Sequence, residues 1–138
     1  MVGLTRGTSR EHLVRAALEA MAYATHDVLR AQEADSGVTA TELRVDGGAS
    51  TNDFLMEFQA GVLGIPVRRP SMVDTTALGA AGLAGLASGV WQGASDFLAA
   101  GAASTVFPPR MQAVERQSLL SGWARAVRSA KAWAEDQG

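Results

Sequence analysis

The sequence predicts an α/β fold in which helices pack on a short, incomplete sheet and a helical tail closes the chain. Three observations carry this prediction. Apolar residues recur at three- and four-residue steps over several long stretches, the period of a helix with one buried face. Between those stretches lie two short extended segments, one ending at Asp46 and one spanning Ile65 to Pro70. The resulting order is helix, strand, helix, strand, helix and helical tail, and strands separated by helices imply parallel neighbours. Two short strands are too few for a stable sheet. The sheet therefore reads as incomplete, and the opening Val2-Gly3-Leu4-Thr5-Arg6-Gly7 reads as an abrupt start.

Thr8-Ser9-Arg10-Glu11 has the T-x-x-E form of a capping box. A long helix is expected to follow, to about Ala34, with Val14, Leu18, Met21, Thr25, Val28 and Leu29 on its apolar face and Ala17 and Ala22 widening it. Gly37 suits the left-handed cap that ends it. Leu43 and Val45 alternate with Arg44 at strand period, and Asp46 closes that strand. A second helix is predicted from about Thr51 to Leu63, with Ser50 as N-cap, Asp53 as its partner, and Phe54, Leu55, Phe58 and Val62 facing inward. Gly64 stops it, and Pro66 and Pro70 bound the next extended segment.

Asp74-Thr75-Thr76 caps a third predicted helix, Ala77 to Ser88. Gly79, Gly82 and Gly85 interrupt it, and each glycine costs a helix about 1 kcal/mol relative to alanine. Two readings are open: another backbone comes very close, or the helix is tightly packed in the core. A short helix within Trp91 to Ala102 and an extended Phe107-Pro108-Pro109 come next. The last helix, about Val114 to Ala134, places Leu119, Leu120, Trp123, Val127 and Ala130 on one face.

At 138 residues the chain is one domain or part of one. Hydrophobic residues make up 47% and charged residues 19%, an ordinary globular balance. A net charge of −2 gives no electrostatic case for nucleic acid or an acidic membrane surface. The absence of cysteine removes disulfides and thiolate metal sites, and fits a reducing compartment. Met1 to Arg10 lacks the apolar core of a signal peptide, and the small-apolar run Ala77 to Val90 is too short and too rich in glycine to span a bilayer.

No G-x-x-x-x-G-K-[ST] loop, post-strand G-x-G-x-x-G or G-x-S-x-G elbow occurs. His12 and His26 lack metal-site spacing and read as solvated or packing residues. No two carboxylates stand out as an acid–base couple. The best local signal is the turn Asp46-Gly47-Gly48 with Asn52 beyond it. Glycines let another group approach where a Cβ would block it, and N–H groups at a helix start favour an anion. Asn52 offers an amide to a ribose, a purine edge or a phosphate. An ordinary strand-to-helix turn remains the alternative, with Asp46 either touching a ligand or holding the turn.

Leu43-Arg44-Val45-Asp46-Gly47-Gly48, followed by Asn52 and Phe54-Leu55, resembles the adenosine motif of glycerol kinases, which are FGGY carbohydrate kinases of the actin/Hsp70/hexokinase fold group. Gly3 to Thr8 with His12-Leu13 and Ala16 to Glu19 resembles the second half of a family signature, and Thr5-Arg6-Gly7-Thr8 favours glycerol over pentulose kinases. Thr75 to Ala81 with Leu83 to Ala87 resembles the helix beside the hinge between the family's two domains. Trp91, Phe107-Pro108, Gly122-Trp123 and Trp133 resemble its C-terminal tail. Gly82 departs from the pattern, which has an aromatic residue there, as does His26, where it has arginine.

The resemblance implies a partial ribonuclease H-like (actin-like ATPase) domain. Residues 1–90 would be the second kinase domain, truncated at its N-terminal side, and 91–138 its helical tail. It implies ATP as nucleotide, with Gly48 and Asn52 as contacts and Gly47 and Asp46 shaping the same turn. The Mg2+, the catalytic aspartate and the glycerol pocket would belong mainly to an upstream part, so that glycerol is met only through that part. The implied protein is cytoplasmic and its parent a homo-oligomer, without nucleic-acid partners or a membrane span. The isolated 138 residues are expected not to turn over; a docking module, an inert remnant, or another sugar or polyol as acceptor are the alternatives.

Overall fold

The computed structural model describes residues 2–100 and 103–135, with Ala99 and Ala100 described for the backbone only. Among the described residues five α-helices and three strands follow one another as α1 (Arg10–Ser36), β1 (Leu43–Arg44), α2 (Asp53–Leu63), β2 (Val67–Pro70), α3 (Thr75–Ala87), α4 (Ala94–Ala100), β3 (Ser104–Phe107) and α5 (Ala113–Glu135), with a 3-10 helix at Gly48–Thr51.

The sheet has the order β1-β2-β3. β1 and β2 are parallel, pairing Leu43 with Val67, and Val45 N–H extends the ladder to Arg68 O at 3.0 Å. β3 is a strand where the sequence suggested only an extended Phe107 to Pro109. It returns antiparallel to β2, with Val67 opposite Phe107 and Pro70 opposite Ser104. The expectation of purely parallel neighbours is therefore corrected. The chain between β2 and β3 contains two helices, but it returns to the end of the sheet it left, Pro70 opposite Ser104, instead of crossing to the other end as a parallel neighbour requires.

α2 is the centre of the core. Leu55, Met56, Phe58, Ala60, Val62 and Leu63 are all buried, together with Val67 of β2 and Phe107 of β3. The helix is amphipathic on paper but covered almost all round in the fold. α1 crosses it through Ala22, Tyr23 and Leu29, and α5 adds the half-buried Leu119, Leu120 and Trp123. Burying a side chain of this size stabilises by roughly 1.5–3 kcal/mol, so this helix holds most of the molecule together. An aromatic row runs through it: Tyr23 meets Phe58 edge-on at 5.5 Å and stacks on Trp123 at 5.4 Å, while Trp123 Nε1 donates to Asp27 Oδ2 at 2.7 Å.

The buried face of α1 overlaps only in part with the one its periodicity suggested: Ala22 and Leu29 are buried, and Leu18 and Thr25 half-buried. Val14, Met21 and Val28, seven residues apart, are exposed. The small Ala22, fully buried like Ala60, marks the close crossing on α2, and that crossing sets the rotation of the helix. The cap also moves by one residue. Thr8 Oγ1 accepts the N–H of Thr5 at 2.9 Å, so Ser9 becomes the N-cap and His12, not Glu11, its partner. Ser9 N–H donates to His12 Nδ1 at 3.1 Å. Gly37 and Gly64 end α1 and α2 in the left-handed conformation, as expected.

In α3 the glycines do not meet another backbone. A Cβ on Gly82 would stand 2.5 Å from the Phe97 ring, and one on Gly85 would stand 2.5 Å from Trp91 Cδ1. Two aromatic side chains of the following segment thus press on the helix at these glycines, the end of the Phe97 ring on Gly82 and an edge of Trp91 on Gly85, and their ring centres lie 5.9 Å apart. Gly79 faces open space. The predicted short helix within Trp91 to Ala102 is present as α4; its residues 101 and 102 lie outside the described residues. No helix among the described residues is long and apolar enough to cross a membrane.

Candidate functional site

The strand β1 delivers the chain to Asp46, and the turn that follows is tied down on three sides. Gly47 has φ +76°, a conformation open to glycine at little strain, and its N–H donates to Val73 O at 2.7 Å. Its carbonyl accepts both the N–H of Ser50 at 3.1 Å and the Ser50 Oγ at 2.7 Å. Thr75 Oγ1 donates to Asp46 Oδ2, which joins the turn to the first residue of α3. Asp46 therefore holds the turn, one of the two roles its position allowed.

Gly48 opens the 3-10 helix. Its φ is not positive, and a Cβ built on it meets no atom within 4 Å. Neither backbone conformation nor packing within the chain explains a glycine here. Its bare backbone faces outward, where a side chain would stand between it and any approaching group.

The sequence placed the α2 cap at Ser50; the structure places it at Asn52. Ser50 is buried and its hydroxyl turns back to donate to Gly47 O, away from the N–H groups of α2. Asn52 Oδ1 accepts the N–H of Leu55 at 3.1 Å instead. With the oxygen so engaged, Asn52 presents its Nδ2 donor, for which no partner occurs among the described residues.

Arg69, which sequence reading passed over as part of a short extended segment, is the residue that fixes this 3-10 helix to the sheet. Its Nη1 donates to Ser50 O and to Asp53 Oδ1, both at 2.7 Å, and its guanidinium lies 5.0 Å from the Phe107 ring centre. Adjacent Arg68 points to the opposite face, as strand alternation requires, and bonds Glu42 at 2.8 Å and Ser104 at 2.9 Å. The alternation was readable in Val67-Arg68-Arg69-Pro70; the partners, 16 to 36 residues away, were not.

Asp46 and Thr75 line a cleft of about 700 Å³ that also takes in Arg44, Arg68, Leu98 and Ser104. Both arginines are paired with Glu42, and the Arg68 hydrogen bond above all holds that carboxyl below its ordinary value. Their charge is thus partly committed within the chain. Gly47, Gly48 and Asn52 do not line this cleft; they stand on the exposed surface of the turn. A larger apolar hollow of about 790 Å³ lies elsewhere, between the N-terminal segment, α1 and α5.

Residues 1–88 match the C-terminal domain of the FGGY family of carbohydrate kinases, and the chain belongs to that family. Among its relatives are the glycerol kinase of Petrotoga mobilis, 53% identical over 137 residues, and that of Burkholderia pseudomallei, 55% identical over 136. Each alignment covers 99% of this chain but only 28% and 27% of the relative, so the chain spans little more than a quarter of their length. Of solved structures, a Plasmodium falciparum glycerol kinase with ADP superposes at a TM-score of 0.78, with 31% identity, over 92% of this chain and 26% of that one. A xylulose kinase from Lactobacillus acidophilus superposes at 0.67 with 24% identity, covering 95% of this chain and 26% of its own, and shares the fold. The short sheet and its helices are thus part of the actin-like ATPase fold of these kinases.

Proposed function

We propose that this chain supplies the adenosine-side wall of an ATP-dependent glycerol kinase, which transfers the γ-phosphoryl group of ATP to glycerol to give ADP and glycerol 3-phosphate. Gly48 and Asn52 contact the nucleotide, and Asp46 and Gly47 hold the turn that presents them. The observation that carries this reading is Gly48: a glycine with neither a positive φ nor a packing neighbour, on a turn otherwise fixed at every side. The ADP-bound relative and the family membership support nucleotide as the approaching group.

The reactive side lies outside these residues. Among the described residues no three His, Cys, Asp or Glu side chains gather as a metal cage. Asp46 is engaged by Thr75, and Asp53, the carboxylate that follows the turn, is paired with Arg69. The glycerol pocket, the base and the metal belong to the remaining three-quarters of the kinase length, and the 138 residues alone do not turn over. Calorimetric titration with ADP tests the reading. The chain binds ADP, a Gly48→Val variant binds at least tenfold more weakly, and neither releases ADP from ATP in a glycerol-dependent way. Equal affinity of the two would remove the turn from the site.

A second reading, that the chain docks onto a separately made N-terminal partner to rebuild a working cleft, is favoured by two features. β1 is a sheet edge with a free side, and Val14, Met21 and Val28 form an exposed apolar row on α1. Co-expression with the missing three-quarters of a glycerol kinase, followed by co-purification and assay, supports it if activity returns and removes it if the two pieces stay apart.

A further inference from the structure

We propose that Arg69 is a positioning residue for nucleotide binding, acting through the 3-10 helix Gly48–Thr51; the inference rests on the nucleotide reading of that turn. Arg69 makes no hydrogen bond to Gly47, Gly48 or Asn52 among the described residues. It reaches Ser50, the residue midway between the two candidate contacts, and Asp53, the first residue of α2. One nitrogen, Nη1, serves both acceptors, so the carbonyl of Ser50 and the carboxylate of Asp53 are held at one point. The guanidinium itself is immobilised. Its side chain is only 17% exposed and lies over Phe107, and its strand pairs with β3 through Thr105.

The rest of the turn makes this contact decisive. Gly47 is anchored from behind by Val73 O, and the Ser50 hydroxyl closes on Gly47 O. Beyond Ser50 the turn closes on itself, Thr51 Oγ1 donating to Gly48 O at 2.7 Å and Asn52 N–H to Ala49 O at 3.2 Å, and the Arg69 bond at the Ser50 oxygen ties this closed unit to β2. Arg69 therefore sets how the closed turn that carries Gly48 and Asn52 stands against the sheet and the start of α2.

Three variants and two readouts test this. Arg69→Gln removes the charge and the reach. Arg69→Lys keeps a cation able to donate to Ser50 O but loses the planar fork. Gly48→Val serves as the reference for the site itself. Because hydrogen bonds from a charged group are the stronger ones, Arg69→Gln is expected to weaken ADP binding by about tenfold or more, measured on protein shown to be folded by its cooperative urea transition. Arg69→Lys recovers part of that loss, and the amide resonances of Gly48 and Asn52 move in Arg69→Gln. If Arg69→Gln binds ADP like the parent while Gly48→Val does not, the positioning role is overturned and the nucleotide reading stands. If the parent fails to bind ADP, or Gly48→Val binds equally well, the nucleotide reading fails and takes this inference with it. If both Arg69 variants lose stability alike yet bind ADP normally when folded, Arg69 is structural only and the proposal is wrong.

Discussion

Asn52 Oδ1 accepts the N–H of Leu55 at 3.1 Å, so the residue proposed to meet the nucleotide is also the N-cap of the most buried helix in the molecule. The two roles use different atoms, which makes them separable. Asn52→Asp keeps the capping oxygen and places a negative charge at a helix start, where it is tolerated. It removes the Nδ2 donor. The expected outcome is stability within a few tenths of a kcal/mol of the parent, together with clearly weaker ADP binding. Asn52→Ala loses both, and its stability falls by about 0.5–2 kcal/mol. Urea midpoints and ADP titrations on the two variants separate the roles; an Asn52→Asp protein that binds ADP normally removes the amide from the site.

The three glycines of α3 are predicted to differ. Gly79 has nothing near its missing Cβ, so Gly79→Ala adds helix propensity without a clash and is expected to stabilise by about 0.5–1 kcal/mol. Gly85 lies under Trp91, whose Cδ1 and Nε1 stand 2.5 and 2.6 Å from the new atom. Overpacking of this kind costs roughly 1–3 kcal/mol, which outweighs the propensity gain. Gly85→Ala is expected to lower the urea midpoint and to change the Trp91 emission. A Gly85→Ala protein as stable as Gly79→Ala would show that Trp91 does not rest there.

Stability at alkaline pH reports on the aromatic row. Tyr23 is pushed up to about 12 from its ordinary 10.0, chiefly by burial, with the Glu19 carboxylate adding to it. Because the folded value is raised, this contribution is fully present below pH 10 and is lost as pH rises towards 12. The urea midpoint should fall across that window, and Tyr23→Phe, which has no phenol to ionise, should flatten the fall. A slope unchanged in Tyr23→Phe would contradict this assignment.

The acid limb has the opposite sign. Glu33 is lowered chiefly by the N–H of Ala40, which donates to it at 2.8 Å, and Glu42 chiefly by its bond from Arg68. Both folded values lie below the ordinary 4.5, so their contribution is present above that pH and disappears as pH falls through them. Stability is expected to drop below about pH 4.5, and Glu33→Gln with Glu42→Gln should reduce the steepness of the drop. Thermal melts at stepped pH values read this directly, and an identical acid profile in the double variant counts against it.

How legible this was in the sequence depends on range. Helix ends set by local chemistry, such as Gly37 and Gly64, could be read, as could the core positions Leu55, Phe58 and Val62. What escaped was decided by distant partners. Ser50 and Asn52 are both good caps, and the choice fell to Asn52 because the Ser50 hydroxyl turns back to Gly47. β3 became a strand because β2 offered it an edge, not because Ser104 to Phe107 demanded one. The rotation of α1 followed from its crossing on α2. At the site, the turn itself was visible as Asp46-Gly47-Gly48, but Arg69 and Thr75, which hold it, lie 19 and 29 residues from the groups they bind. No local pattern marks such pairs.

The most direct test of the account is an ADP titration of the isotopically labelled chain, followed residue by residue through its backbone amide resonances. The account predicts that the amides of Gly47, Gly48 and Asn52 shift saturably with ADP, while those of Gly37 and Gly64, at helix ends remote from the turn in sequence, stay in place. Saturable shifts confined to residues outside the turn, or no shift at any ADP concentration, would contradict it.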